Sequence, residues 1–279
     1  MSDTALDAKF EKLLDIIRGM QRVAVAFSAG VDSTFLLKAA VEALGPEHVV
    51  AVTGKSDSLA QAEFEQTIEL AKSMGVEHVL LETHEFEDPN YLANPTNRCY
   101  FCKTDLFKHV NRFAAERGLN AVLTGVNFDD QSDWRPGIQA GREQNVRAPL
   151  AEAGLTKDEI RVLSRRMGLP THDKPASPCL SSRIQYGEQI TPEKLNQIDR
   201  SERFLRSLGF RECRVRHHNN LARIEVPADQ IERLCSPEIR TQVDAALREF
   251  GYAYVTIDAR GFRSGSMNEV IAFGKRQTI

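Results

Sequence analysis

Apolar positions along the chain recur with two alternating periods. Leu6, Phe10, Leu13, Leu14 and Ile17 repeat every three to four residues, the spacing of a helix with one buried face. The run "RVAVAFS" then breaks that spacing with continuous apolar residues, which predicts a short buried strand. "DSTFLLKAAVEALG" returns to helical spacing, with Gly45 placed as a C-terminal stop. "HVVAVTGKS" predicts a second strand, "AQAEFEQTIELAKSMG" a helix and "EHVLLETHEF" a third strand. Strand and helix thus alternate, and that order predicts parallel βαβ units.

The stretch "DPNYLANPTNRCYFCKTDLFKHVNRFAAERG" reads as a loop running into a helix, and "NAVLTGVN" as a further apolar run. No period survives in "FDDQSDWRPGIQAGREQNVRAPL", and long loops of this kind in α/β proteins carry function. "TKDEIRVLSRRMGL" predicts a helix opened by Thr156, with Glu159 three residues later at capping-box spacing. Composition shifts near residue 172, where "HDKPASPCLSSRIQYGEQIT" is rich in Pro and Ser and reads as a linker with chemistry in it. Beyond it lie a helix "PEKLNQIDRSERFLRSLG", strands "ECRVRHHN" and "LARIEVP", helices over 228–250 and a strand "YAYVTID". The expected organisation is an α/β domain with a parallel sheet over residues 1–175, a linker over 176–190 containing Cys179, and a small α+β lobe over 191–279.

Composition narrows the function classes. At 279 residues and 42% hydrophobic, the chain can bury the core of one large domain plus an appendage. A net charge of −3 supplies no global basic field, so stable nucleic-acid binding is not expected. The segment "MSDTALDAKFEKLLDIIRGM" is charged and amphipathic, unlike a signal peptide, and no apolar run approaches the roughly 20 residues that span a bilayer. A cytoplasmic protein without membrane contact is expected. Five cysteines are too few for a disulfide scaffold, so their positions matter more than their number.

The segment "FSAGVDST", residues 27–34, lies where the first predicted strand meets a helix. At that edge of an open parallel sheet a helix N-terminus offers unpaired N–H groups and a partial positive charge to an anion. Gly30 permits close backbone approach, and Ser28 and Ser33 can donate to phosphate oxygens. Asp32 would repel a phosphate unless it coordinates Mg²⁺ or hydrogen-bonds the loop into shape. The same residue types also suit an ordinary capped turn. Their combination resembles the SGGxDS signature of the PP-loop ATP pyrophosphatase family, whose loop grips the pyrophosphate of ATP. The resemblance implies an α/β fold with helices on both faces of the sheet, and ATP with Mg²⁺ as cofactors. Ala29 stands where that family has its second glycine, so a negative φ is expected there. "LTGVNFDD", with Gly125, resembles the later nucleotide-site segment of the same family. No GK[ST] follows a glycine-rich loop, which argues against kinase or motor chemistry.

Cys99 and Cys102 form a CxxC in "RCYFCK", and Cys179 follows Pro178 in "SPCLSSR". Such a pair can chelate a metal, form a redox disulfide or simply pack. Three thiolates without an evident fourth ligand suit a [4Fe–4S] cluster with one open iron better than a closed zinc site, and an open iron could carry an extra sulfide. Cys213 and Cys235 are expected in the core of the lobe. Arg214 and Arg216 fall on one face of a predicted strand, where two guanidinium groups can converge on a single phosphate; a solvated basic face is the alternative. Trp134 and Arg135 could clamp a ring or pack their loop, with packing favoured. His217 and His218 are expected to split between core and solvent.

From "VAFSAGVDST" through "CLSSR" to "VRHHNNLARIEVP" and "GFRSGSMN", nearly the whole chain resembles the LarE family of ATP-dependent sulfur transferases. The resemblance implies adenylation of a carboxylate of pyridinium-3,5-biscarboxylic acid mononucleotide, followed by replacement of oxygen by sulfur, on the way to the nickel-pincer nucleotide. It also implies a homo-oligomer that works with the other enzymes of that pathway. Asp32 would act on ATP, and Ser182, Arg183, Glu202, Arg214 and Arg216 match the family's substrate phosphate and carboxylate pocket. Without the resemblance, Glu202 reads as a helix surface charge. Members divide by sulfur source, and the presence of Cys99, Cys102 and Cys179 together places this sequence with the cluster-bearing group. Other members sacrifice a linker cysteine, whose position falls here on Pro178, one residue before Cys179. Transfer of the Cys179 sulfur itself is the alternative. A tRNA thiolase, a PP-loop amide-forming synthetase and a zinc-bearing nucleotide-binding regulator are more distant readings. The near-neutral charge argues against the first, and the three cysteines are superfluous to the second.

Overall fold

The first apolar runs form strands β1 (Val23–Ala26), β2 (Val49–Lys55), β3 (Glu77–Glu82) and β4 (Ala121–Leu123). The computed structural model describes residues 3–132, 136–263 and 265–268. The strands pair in the order β3-β2-β1-β4, every pair parallel. Successive residues of a strand face opposite ways, and the cores on the two sides of the sheet follow that alternation. Val23, Val25, Val49 and Ala51 pack with α1 (Asp3–Arg18), α2 (Val31–Leu44), α3 (Gln61–Ser73) and α8 (Lys157–Arg166). Ala24, Val50 and Val52 pack instead with Phe107, Val110 and Ala114 of α5 (Arg98–Glu116). Helices therefore cover both faces, as the PP-loop resemblance implies. Each fully buried Leu, Ile or Phe of these cores contributes about 1.5–3 kcal/mol.

Local signals fix the helix ends. Gly45 adopts φ 85° after α2, and its N–H donates to the Val41 carbonyl at 2.9 Å. The capping box is complete: Glu159 N–H reaches Thr156 Oγ1 at 3.3 Å, and Thr156 N–H reaches Glu159 Oε2 at 2.8 Å. Glu159 also takes the Lys9 ammonium at 2.7 Å, which ties α1 to α8.

The stretch without periodicity is more regular than its sequence suggests. Short helices α6 (Pro136–Glu143) and α7 (Pro149–Glu152) form in it, with a 3₁₀ turn over Asp129–Ser132, and another, α4 (Pro89–Leu92), forms in the earlier segment read as a loop. The eight residues of α6 are too few to show a period, and its glycines are the reason it packs. A Cβ on Gly137 would stand 3.1 Å from Lys103 Cγ, and one on Gly141 3.5 Å from the Phe107 ring. Trp134 and Arg135 lie outside the described residues.

Contacts divide the chain into two units, one of Met1–Tyr91 and Thr96–Ser177, the other of Leu92–Pro95 and Pro178–Ile279. In the second, α9 (Pro192–Ser207), α10 (Ile231–Cys235) and α11 (Pro237–Glu249) accompany a sheet of β5 (Arg214–His218), β6 (Leu221–Glu225) and β7 (Tyr254–Ile257). β5 and β6 form an antiparallel hairpin through Asn219, whose φ of 52° suits the tight turn, and β7 runs parallel to β6. Val215, Ile224, Leu205, Phe210 and Leu247 make its core. No helix among the described residues is long and apolar enough to cross a membrane. Replacing Thr156 with Ala removes the hydroxyl half of the capping box and is expected to cost about 1 kcal/mol, measured as a lower urea midpoint with an unchanged slope.

Candidate functional site

The segment after β1 keeps its strand partner for one more residue and then turns. Phe27 N–H donates to the Val52 carbonyl at 2.8 Å, and Thr53 Oγ1 donates to the Phe27 carbonyl at 2.8 Å. Ala29 then adopts φ 53°, against the negative value expected from its side chain. The alanine takes the left-handed conformation that favours glycine. Its methyl is fully buried in the core, which helps hold a backbone form costing about 1–2 kcal/mol. Gly30 follows with φ −75° and ψ 164° as the N-cap of α2, with no side-chain cap, so the first-turn N–H groups are left for another partner.

Ser33 is the hub of this loop. Its Oγ donates to the Gly30 carbonyl at 3.2 Å, accepts Ser28 N–H at 3.3 Å and lies 3.2 Å from Ser28 Oγ. Asp32 does not face the loop alone. Lys157 Nζ sits 2.5 Å from its Oδ2, and Asn127 Nδ2 donates to its Oδ1 at 3.3 Å. Asn127 is fixed in turn, since its Oδ1 accepts the N–H groups of Asp129 and Asp130 at 3.0 and 3.2 Å. Gly125 lies against the loop: a Cβ there would stand 2.9 Å from Ser33 N and 3.2 Å from the Asp32 carbonyl carbon. Ser28, Gly30, Asp32, Ser33 and Gly125 therefore form one site at the carboxyl ends of β1 and β4. Sequence reasoning missed Lys157, Asn127 and Lys174, whose ammonium donates to the Ala29 carbonyl at 3.0 Å. All three reach the loop from remote positions in the chain; Asn127 falls within the "LTGVNFDD" segment without being singled out there, and no local pattern marks the two lysines.

Cys99 and Cys102 occupy the start of α5 rather than a loop, three residues apart and so on one helical face. Cys99 is exposed and Cys102 half-buried. Thiols a turn apart near a positive helix end fit the demand of iron for thiolate ligands. Cys179 belongs to the second unit, half-buried just before the 3₁₀ turn Leu180–Arg183. Among the described residues no group of three or more His, Cys, Asp or Glu side chains is arranged to hold a metal ion. Cys213 is buried as expected, and burial pushes its thiol pKa up to about 12, which makes it inert. Cys235 is exposed, not in the core as expected, because it ends the five-residue α10 at the surface.

The turn after Cys179 is anchored on the small sheet by buried ion pairs. Arg183, 1% exposed, donates from Nε and Nη2 to both oxygens of Glu202 at 2.9 and 3.1 Å. Its Nη1 donates to the carbonyls of Pro178 and Cys179 and to Ser182 Oγ. Glu202 is fully buried, not the surface charge its helix position suggests. It also accepts Arg206 Nη2 at 2.8 Å and Val215 N–H at 3.1 Å. Burial works to raise its pKa, but Arg183, Arg206 and Arg214 outweigh that and hold it below the usual 4.5. Arg214 and Arg216 share a face as predicted, yet each is 5% exposed, which excludes a solvated basic surface. Arg216 pairs with buried Glu225 at 2.8 Å and donates to the Ser182 carbonyl at 3.2 Å. Arg214 stacks over the Phe262 ring at 5.1 Å, and burial lowers its pKa. His217 is buried against Tyr252 while His218 is half-buried, the split expected of adjacent strand residues.

A family model described as NAD synthase matches residues 11–91, a stretch that includes the loop after β1. The chain is 38% identical over 275 residues to the pyridinium-3,5-bisthiocarboxylic acid mononucleotide synthase of Lactiplantibacillus plantarum, covering 98% of this chain and 99% of that protein. It is 45% identical over 266 residues to an uncharacterized protein of Synechocystis sp., covering 95% and 99%. A tRNA-specific 2-thiouridylase of Rickettsia conorii is 27% identical over 192 residues, only 56% of this chain and 51% of that protein.

Two substitutions check this geometry. Gly125→Ala forces a methyl against the Ser33 amide and is expected to weaken ATP binding by on the order of tenfold, with an unchanged circular dichroism spectrum; isothermal titration reads the affinity. Glu202→Gln strands Arg183 and is expected to destabilise the chain by about 3–5 kcal/mol in urea at neutral pH. Because the folded-state pKa of Glu202 is depressed, its contribution is complete above the unfolded value of about 4.5 and is lost as pH falls through the folded one. The variant's stability is therefore expected to vary less with pH in that acid window.

Proposed function

The chain belongs to the LarE family of pyridinium-3,5-bisthiocarboxylic acid mononucleotide synthases, and we propose that it uses ATP to turn the carboxylates of pyridinium-3,5-biscarboxylic acid mononucleotide into thiocarboxylates. The observation that supports the ATP chemistry is the loop itself, an uncapped helix N-terminus at the edge of a parallel sheet with Ser28, Ser33 and Asp32 around it. The substrate assignment rests on the near-full-length similarity to the Lactiplantibacillus plantarum synthase.

In this reading Ser28, Gly30 and Ser33 take the pyrophosphate of ATP, and Gly125 leaves the room they need. Asp32 is the ligand that would hold Mg²⁺. When its carboxylate turns to a metal, the Lys157 ammonium beside it is placed to meet phosphate charge. A substrate carboxylate oxygen attacks the α-phosphorus, the bond to pyrophosphate breaks, and an acyl-adenylate forms. Activation is needed because a carboxylate is a poor electrophile, whereas AMP leaves readily from the mixed anhydride. Lys157 is placed to offset the charge that builds on the departing pyrophosphate, and Mg²⁺ held by Asp32 would add to that effect. Cys99, Cys102 and Cys179 are the residues that would hold a [4Fe–4S] cluster, whose open iron would supply the sulfide that displaces AMP.

The substrate's phosphate and remaining carboxylate are assigned to the face built by Ser182, Arg214 and Arg216. Arg183 and Glu202 hold the Cys179 turn beside it. The same reading makes the enzyme a cytoplasmic homo-oligomer that hands its product to the other enzymes of nickel-pincer nucleotide synthesis.

Asp32→Ala tests the first half-reaction. With ATP, Mg²⁺ and the mononucleotide present, pyrophosphate release is expected to fall on the order of a hundredfold or more, while iron and acid-labile sulfide in anaerobically purified protein stay at the wild-type level. Undiminished release would remove Asp32 and the loop from the chemistry.

A further inference from the structure

Lys174 is a half-buried cation with no task in the proposed chemistry. Its side chain is 15% exposed, and its ammonium has three acceptors. These are the Ala29 carbonyl at 3.0 Å, Glu63 Oε2 at 2.5 Å and Gln66 Oε1 at 2.5 Å, so every N–H it owns is matched. The backbone that carries it is pinned as well. Arg161 donates from Nη1 to the His172 carbonyl at 2.8 Å and from Nη2 to the Lys174 carbonyl at 3.0 Å. Lys174 thus bridges three separate segments: α3, the nucleotide loop and the stretch that leads toward Cys179.

We propose that Lys174 is a positioning residue that keeps the nucleotide loop in its ATP-binding form by holding Ala29 in the left-handed conformation. This rests on the reading that the loop binds ATP. In a planar trans peptide the Ala29 carbonyl and the Gly30 N–H point in opposite directions. A lysine that fixes the carbonyl therefore fixes the direction in which the N–H at the mouth of α2 is offered. Without the tether, an alanine at φ 53° is disfavoured about tenfold against the right-handed or extended forms, and rotating out of it would swing that N–H away. The charge of Lys174 is already met by Glu63, so its contribution to ATP runs through loop geometry rather than through attraction of the phosphates.

The test compares MgATP affinity by isothermal titration, and kcat and KM for pyrophosphate release, in full-length protein. Lys174→Met is made with Glu63→Gln, so that no carboxylate is stranded, and circular dichroism confirms the fold. This variant is expected to bind MgATP about tenfold more weakly, with kcat at saturating ATP within about twofold of wild type. Adding Ala29→Gly, which populates the left-handed form without a tether, is expected to recover most of that affinity. Lys174→Gln, which keeps one N–H for the Ala29 carbonyl, is expected to lie near wild type. Wild-type affinity in the Lys174→Met protein, or a defect of equal size with glycine at position 29, would overturn the proposal. Wild-type protein that neither binds MgATP nor releases pyrophosphate would instead sink the functional reading on which it rests.

Discussion

The parallel pairing of β1 with β4 sets the distance on which the loop after β1 depends. It aligns Val23 with Ala121 and Val25 with Leu123, so the chain leaving β4 runs beside the loop leaving β1. Gly125 then meets the Ser33 amide at a separation that admits no side chain. From that contact the rest of the site follows, since Asn127 two residues on can reach Asp32, and the Asp129 carboxylate takes Lys157 N–H at the start of α8. The loop's shape is thus imposed by strands and helices far apart in sequence. That is why an alanine can occupy a conformation it would not hold alone.

A different constraint governs the second unit. Burying a carboxylate costs several kcal/mol unless the surroundings replace the water it loses. Glu202 meets that condition with four N–H donors from Arg183, Arg206 and Val215. Glu225 does so with Arg216, Arg223 and the Ser266 hydroxyl. Both networks converge on the turn after Cys179, through the Cys179 carbonyl on Arg183 and the Ser182 carbonyl on Arg216. Directional bonds of this kind fix where the turn lies on the sheet, which apolar packing alone would leave free to slide.

Much of this architecture was legible in the sequence because its signals are local. The strand–helix alternation, Gly45 as a stop, the Thr156–Glu159 box and the loop at the end of β1 each depend on neighbours within a few residues. What escaped depends on partners far along the chain. Lys157 reaches Asp32 across 125 positions and Lys174 reaches Ala29 across 145, and nothing around either lysine marks it. Without the family resemblance Glu202 reads as a surface charge, because a helix period tells which residues share a face, not what covers that face. The eight-residue α6 was invisible because glycine packing, not apolar periodicity, seats it on α5.

Leu92–Pro95 belongs to the second unit although the chain on either side belongs to the first. The Asn94 side chain donates to the Gln185 carbonyl at 2.8 Å, and the carbonyls of Leu92 and Asn94 accept Ile190 and Gly187 N–H at 3.0 Å. During synthesis this tetrapeptide emerges about ninety residues before its partners, so it leaves the ribosome unmated until residues 185–190 follow. The second unit is therefore discontinuous in sequence, and a single scission between Ser177 and Pro178 would leave Leu92–Pro95 on the other fragment.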